Sequence, residues 1–268
     1  MILTNAQIKT LSKLKDRSER EKERLFLIEG KRSTIEALDS ELSVQLVITD
    51  ISKDAEKFRD VLEAAKLKGV ELAELPSPKF RKIETTENSQ GIIAIVRMPE
   101  WSLSHFFIEM KSADNALIIF LDQVSDPGNV GTILRTAEWF GLDAVMLSKG
   151  SVDAFNPKVV RSSMSALTRI KVFQNLDFED IWHPLKDNGF EFYCAAQDKS
   201  ESYIKASYAK KAVFVFGSEA TGIGDKINSR CTKFISIPRH GKVESLNVAV
   251  ASAIILSEVI RQRSVNTN

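Results

Sequence analysis

The sequence holds little of what most enzymes use for proton and metal chemistry. Its 268 residues include three histidines and two cysteines. Cys194 and Cys231 form no disulfide framework and lack metal-ligand spacing. Both border apolar sequence, so two buried free thiols in a reducing compartment are expected. His105 and His183 have no nucleophile or ligand cluster around them, and His240 sits between cations in "PRHGK", which suits a surface or RNA-facing position. No metal site is expected. No apolar run approaches the length that spans a bilayer, and "MILTNAQIKTLSKLK" contains no signal-like apolar stretch. A cytoplasmic protein with no membrane partner is therefore expected. Internal repeats and low-complexity tracts are also missing. Net charge is +1, so the whole-protein field announces no polyanionic partner.

Charge is nevertheless unevenly placed. Between Met1 and Arg32 stand nine Lys/Arg against five Asp/Glu. Such an arm suits phosphate binding, and a solvated helix of mixed charge is the plainer alternative.

Patterning divides the chain near Pro99. Before it, "NAQIKTLSKLK" carries a helical stripe at Ile8, Leu11 and Leu14, while "LFLIEG", "VQLVIT" and "GIIAIVR" read as strands. "KDAEKFRDVLEAAKLKG" reads as a helix ending at Gly69. After it, strands are predicted at Ala116 to Leu121, in "AVML", and at Phe190 to Ala195, Ala212 to Phe216 and Phe234 to Ile237. Between them lie a helix ending at Gly141, where a left-handed cap is wanted, and one opening with Asn156 and Pro157. Strand–helix alternation predicts an α/β fold with a mainly parallel sheet. The expected domains are residues 1–98, a linker 99–114, and residues 115–268.

Ligands of such sheets lie beyond the carboxyl ends of the strands. Three loops leave strands at that edge. The first, "SDPGNVGTILRTAEWFG", has glycines for tight turning, Asn129 as a helix-cap candidate and Arg135 about two turns in, off the apolar stripe. It lacks the spacing of a dinucleotide fingerprint, which weighs against a nucleotide-dependent oxidoreductase. The second, "VFVFGSEATGIG", carries Gly217, Gly222, Gly224 and Glu219. The third, "ISIPRHGKVESLNVAVASAIILSEVI", offers Ser245 and Asn247 as N-caps for a helix apolar on nearly every side. Such a helix must be covered all round, by a subunit interface or by other chain segments.

Taken together, "DPGNVGTILRTA", "GSEATGI" and "IPRHGKVESLNV" resemble the three ordered motifs of the SpoU/TrmH branch of the SPOUT RNA methyltransferases. "FNPKVVRSSMSA" resembles that family's intervening segment, and the likeness covers about Leu117 to Val259. "FLIEGKRSTIEAL" resembles the ribosomal-protein-like RNA-binding domain often fused ahead of it. The resemblance implies an N-terminal ribosomal-protein-like α/β domain and a C-terminal α/β-knot domain with a trefoil knot. It implies a homodimer that transfers methyl from S-adenosylmethionine to a ribose 2′-hydroxyl of ribosomal or transfer RNA. A noncatalytic RNA-binding or ribosome-assembly protein on this fold is the alternative, against which the matched loop residues speak.

By resemblance the catalytic residues are Arg135, Asn129, Glu219, Ser245 and Asn247. Those expected at the cofactor are Phe216, Gly217, Ser218, Gly222, Ile237, Pro238, Ser245 and Leu246. Lys13, Lys15, Arg17, Lys31, Arg32 and Arg161 are expected to bind RNA. Arg239 stands where the family commonly has methionine, and Ala220 and Ser165 where glycine is frequent.

Overall fold

The computed structural model describes residues 1–86, 89–196, 200–218 and 220–265. The first elements in chain order are α1 (Asn5–Ser12), α2 (Arg17–Glu23), β1 (Leu25–Glu29), α3 (Lys31–Leu38) and β2 (Val44–Asp50). They continue with α4 (Arg59–Leu67), β3 (Glu71–Leu75), α5 (Ser77–Ile83), β4 (Ile92–Arg97) and α6 (Leu103–Ser112). Next come β5 (Ala116–Asp122), α7 (Pro127–Trp139), β6 (Ala144–Ser148), α8 (Pro157–Ser162) and β7 (Lys171–Leu176). The chain goes on through α9 (Phe178–Asp187), β8 (Glu191–Ala195), β9 (Glu201–Ser202) and β10 (Lys211–Gly217). It finishes with α10 (Asp225–Asn228), β11 (Lys233–Ser236) and α11 (Val248–Val265).

Two compact units result. One contains Met1–Glu100 with Phe155–Arg169, and the other Trp101–Ala154 with Ile170–Asn268. This differs from the expected division in two places. Residues 99–114 hold α6, whose Phe106 and Met110 are buried in the second unit's core, so the segment is not a plain linker. Segment Phe155–Arg169 groups with the first unit because its contacts run there. Phe155 packs on Phe26 with ring centroids 4.9 Å apart, and Ser165 donates to Ser33 Oγ at 3.0 Å.

The first unit has a four-stranded sheet in the order β1-β4-β2-β3, antiparallel except for β2 beside β3. Its core gathers Leu14, Leu27, Ile48, Phe80 and Ile93. Thr4 starts α1 with a reciprocal cap: its hydroxyl accepts from the Gln7 amide, and its own amide donates to Gln7 Oε1 at 2.9 Å. Arg20 is buried, its guanidinium donating to the carbonyls of Leu14 and Lys15 at 2.8 and 2.7 Å. That side chain holds the α1–α2 corner together and is unavailable to a phosphate.

The second unit has a parallel sheet in the order β7-β6-β5-β10-β8-β11-β9. From β5 the chain winds outward through β6 and β7. It then returns to the other side, where β10 lies directly against β5. The sheet therefore reverses winding between β5 and β10, the kind of point where open parallel sheets bind ligands. Every residue of β5 is buried, as a strand covered on both faces requires. The turn after α7 closes as expected: Gly141 has φ +66° and the Leu142 amide donates back to Ala137 O.

The cysteines depart from expectation. Parallel pairing of β11 with β8 sets Phe234 opposite Cys194 and carries Cys231 alongside. The two are joined as a disulfide with Cα atoms 6.3 Å apart, across a sequence separation of 37 that offered no spacing signal.

Candidate active site

Loops one and two leave neighbouring strands at the same level, since Gly217 of β10 pairs with Asp122 of β5. Asp122 is buried and accepts from the Gly224 amide at 2.9 Å, tying the start of the first loop to the end of the second. Sequence reasoning missed this residue; its signal was an acid closing the otherwise apolar run "ALIIFLD". Within the second loop the Gly222 amide donates to Ser218 O at 2.8 Å, folding the loop back on itself. Gly217 makes the fold-back possible, because a Cβ there would overlap the backbone carbonyl of Gly222.

Loops one and three meet through side chains. Asp126, not Asn129, caps α7: its Oδ1 accepts from the Asn129 amide at 2.8 Å, and Pro127 takes the first helical position. Asn129 is thereby placed in the first turn. Asn247 caps α11, its Oδ1 accepting from the amides of Ala249 and Val250 at 3.0 and 3.2 Å. Those bonds fix which way the Asn247 amide faces, and its Nδ2 donates to Asn129 Oδ1 at 2.8 Å.

Loops two and three together wall a cavity of about 570 Å³. Phe216, Gly217, Ser218, Gly222, Ile237, Pro238, Ser245 and Leu246 all line it, so the eight residues expected at the cofactor come together in one place. One wall is α11, through Val248, Ala251 and Ile255. Val259 and Leu256 of the same helix are fully buried, while Val250 stays 49% exposed. The all-round apolarity of that helix thus serves a cavity wall and the core. Size, apolar depth and a polar mouth are those of a small-molecule pocket.

The expected catalytic residues divide. Asn129 and Asn247 bond each other, and Ser245 lines the cavity. Glu219 lies outside the described residues. Arg135 does not line the cavity: it is exposed on α7 and makes no hydrogen bond or ion pair among the described residues. The helix turns it away because Val130, Ile133, Leu134 and Ala137 occupy the buried face. Thr132 and Trp139, three residues before and four after Arg135, share its exposed side, and Trp139 is 81% exposed.

The expected RNA contacts lie in the first unit. Lys13 and Arg17 pair with Glu19 and Glu21 at 3.7 and 2.7 Å, and Lys31 and Arg32 with Asp60 and Glu36 at 2.9 and 2.8 Å. Lys15 is exposed, and Arg161 donates to Thr85 Oγ1 at 3.4 Å. Beside Thr85, burial pushes the Glu29 carboxyl above the usual glutamate range, against the hydrogen bond from Thr85 and the charge of Arg161. Among the described residues there is no group of three or more His, Cys, Asp or Glu placed to hold a metal, and no helix long and apolar enough to cross a membrane.

A wound parallel sheet with a cavity at the carboxyl edge defines an α/β small-molecule-binding protein with an attached four-stranded unit. Comparison with known proteins narrows this. The SpoU rRNA Methylase family pattern matches residues 116–257, and an MRM3-like substrate binding domain matches residues 5–94. The chain is 32% identical over 252 residues to the Bacillus subtilis 23S rRNA (guanosine(2553)-2′-O)-methyltransferase RlmP, covering 94% of this chain and 95% of that one. A solved putative RNA methyltransferase of the TrmH family from Porphyromonas gingivalis is 34% identical with a TM-score of 0.83, covering 98% of this chain and 100% of that one. The SpoU methyltransferase AviRb of Streptomyces viridochromogenes, solved with AdoMet, shares the fold at 21% identity and a TM-score of 0.85, over 97% and 99% of the two chains. This chain belongs to the SpoU rRNA methylase family.

Proposed function

We propose that the protein transfers a methyl group from S-adenosylmethionine to a ribose 2′-hydroxyl of structured RNA, ribosomal RNA first and transfer RNA second. The observation that carries this reading is the cavity walled by loops two and three, lined by all eight residues expected at the donor. The donor supplies an activated methyl group and leaves as a neutral thioether, while the hydroxyl proton passes to solvent water, so neither a metal nor a protein nucleophile is needed.

The chain's part is binding and alignment. The apolar walls Phe216, Ile237 and Val248 take the adenosine, and the backbone of the folded-back second loop holds it. Held geometry of this kind lowers a barrier by roughly 7–11 kcal/mol in good cases. The Asn247–Asn129 bond ties the third loop to the first. Ser245 shapes the third loop. A guanidinium is too weak an acid to serve readily as a base, so Arg135 fixes a phosphate or hydroxyl and stabilises charge developing on oxygen.

Arg135 reaches a cavity through a second copy of the chain. Its exposed face with Trp139, and the half-exposed Val250 of α11, support a homodimer built on α7 and α11 that brings Arg135 of one copy to the cavity of the other. A trefoil knot in the path from β10 through the third loop into α11 belongs to the same reading, supported by both loops lining one cavity. The first unit grips RNA backbone through Lys13, Lys15, Arg17, Lys31, Arg32 and Arg161, largely without regard to sequence. The cytoplasm is the compartment this function implies.

Calorimetric titration with S-adenosylmethionine and with NAD tests the cofactor. Saturable binding of the first and none of the second is expected. Binding of NAD, or no binding of S-adenosylmethionine, overturns the reading.

A further inference from the structure

The cavity is chemically two-ended. Its depth is apolar, with Phe216, Ile235 and Ile255. Among the described residues lining it, only Arg239 and Glu244 carry permanent charge, and both sit on the third loop at the exposed mouth. Arg239 donates through one terminal nitrogen to Val243 O at 3.3 Å, which lays the guanidinium along the loop. It makes no other hydrogen bond or ion pair among the described residues, so most of its five donors are uncommitted. The methyl donor is two-ended in the same sense: a flat nucleoside at one end, a carboxylate and an ammonium at the other. Arginine is suited to a carboxylate, which it can bind through two parallel N–H bonds.

We infer that Arg239 is the binding residue for the donor's amino-acid carboxylate, gripping the polar end of the cofactor at the cavity mouth. The inference rests on assigning the cavity to S-adenosylmethionine. Methionine, which the family's motif commonly has at this position, could not make the pairing. The bond to Val243 O holds the guanidinium on the wall before the donor arrives, so less side-chain freedom is lost on binding.

A binding cycle tests it on the full-length protein. Wild type, Arg239→Met and Arg239→Lys are titrated calorimetrically with S-adenosylmethionine and with decarboxylated S-adenosylmethionine, which keeps the sulfonium and ammonium but lacks the carboxylate. Arg239→Met is expected to weaken S-adenosylmethionine by about 5- to 20-fold, the range for a charge-assisted pair at a partly exposed site. The decarboxylated ligand should bind both proteins alike, and Arg239→Lys should recover part of the loss. Equal weakening of both ligands, or no weakening of either, overturns the inference. A loss confined to RNA affinity overturns it too and assigns Arg239 to RNA phosphate. Ala251→Phe, with folding checked by circular dichroism, tests the cavity separately. If it leaves donor affinity unchanged, the cavity assignment fails; if it blocks binding while Arg239→Met shows no carboxylate selectivity, only the role of Arg239 fails.

Discussion

Asn247 Nδ2 donates to Asn129 Oδ1 at 2.8 Å, and this bond ties the cap of α11 to the first turn of α7. Asn247 therefore has two separable roles. Asn247→Ala removes both, and a loss of about 1 kcal/mol in stability is expected from the cap alone. Asn247→Asp keeps an acceptor for the amides of Ala249 and Val250 but forces the Asn129 amide to turn round. Its melting curve should lie close to wild type, with methyl transfer down at least tenfold. If Asn247→Asp transfers methyl at the wild-type rate, the orientation of Asn129 is irrelevant to catalysis.

Two glycines of the second loop should respond differently to alanine. At Gly217 the new Cβ meets the backbone of Gly222, which cannot move without opening the fold-back. A loss of about 1–3 kcal/mol and of donor binding is expected. At Gly222 a Cβ meets nothing within 4 Å, and only the φ of +68° opposes it. There the cost is roughly 1 kcal/mol with donor affinity largely kept. Chemical denaturation and calorimetry on both variants decide; equal effects contradict the steric account.

Ser165 stands where glycine is common, with φ +70°, and Met164 before it has φ +47°. Glycine there would relieve about 1 kcal/mol of strain, but the Ser165 hydroxyl donates to Ser33 Oγ at 3.0 Å. Ser165→Gly should thus fall within about 1 kcal/mol of wild type. Ser165→Ala, which keeps the strain and loses the bond to Ser33, should be the less stable of the two. The reverse order in urea titrations contradicts this balance.

Burial raises the Glu29 carboxyl above its unfolded value. The protonated form is favoured in the fold, so its contribution is fully present below the unfolded pKa of about 4.3 and is lost as pH rises through the folded value. Glu29→Gln cannot titrate. The stability of wild type relative to Glu29→Gln should fall as pH rises from that range towards neutrality. Thermal melts of both proteins across the window check this, and a difference independent of pH contradicts it.

Much of this was legible in the chain. Strands β1, β2, β4, β5, β6, β8 and β10 follow apolar runs buried through their centres, and β11 follows the short run around its buried Ile235. The strand β3, "ELAEL", was not, because its glutamates stand three residues apart and break the two-residue alternation of a strand. The strand β7, "KVFQNL", was hidden by its polar second half at the sheet edge. Motif spacing located the cavity residues, since loops leaving parallel strands share an edge. It could not reveal Asp122 as the tie between loops one and two, which depends on the β5–β10 pairing. Nor could it set Asp126 rather than Asn129 as the cap of α7: both residue types suit the position, and Pro127 decides it. The separation of Arg135 from the cavity was equally invisible, because a helical stripe tells which face is buried and not what the opposite face meets.

The most direct test of the account is the chemical identity of the product. Ribosomal RNA prepared from cells lacking the protein is incubated with it and S-adenosylmethionine, digested to nucleosides and measured by mass spectrometry. The wild-type protein should yield a 2′-O-methylated nucleoside, and Arg135→Ala, with unchanged donor affinity, should yield none. A base-methylated product, or the same ribose methylation from Arg135→Ala, would contradict the account.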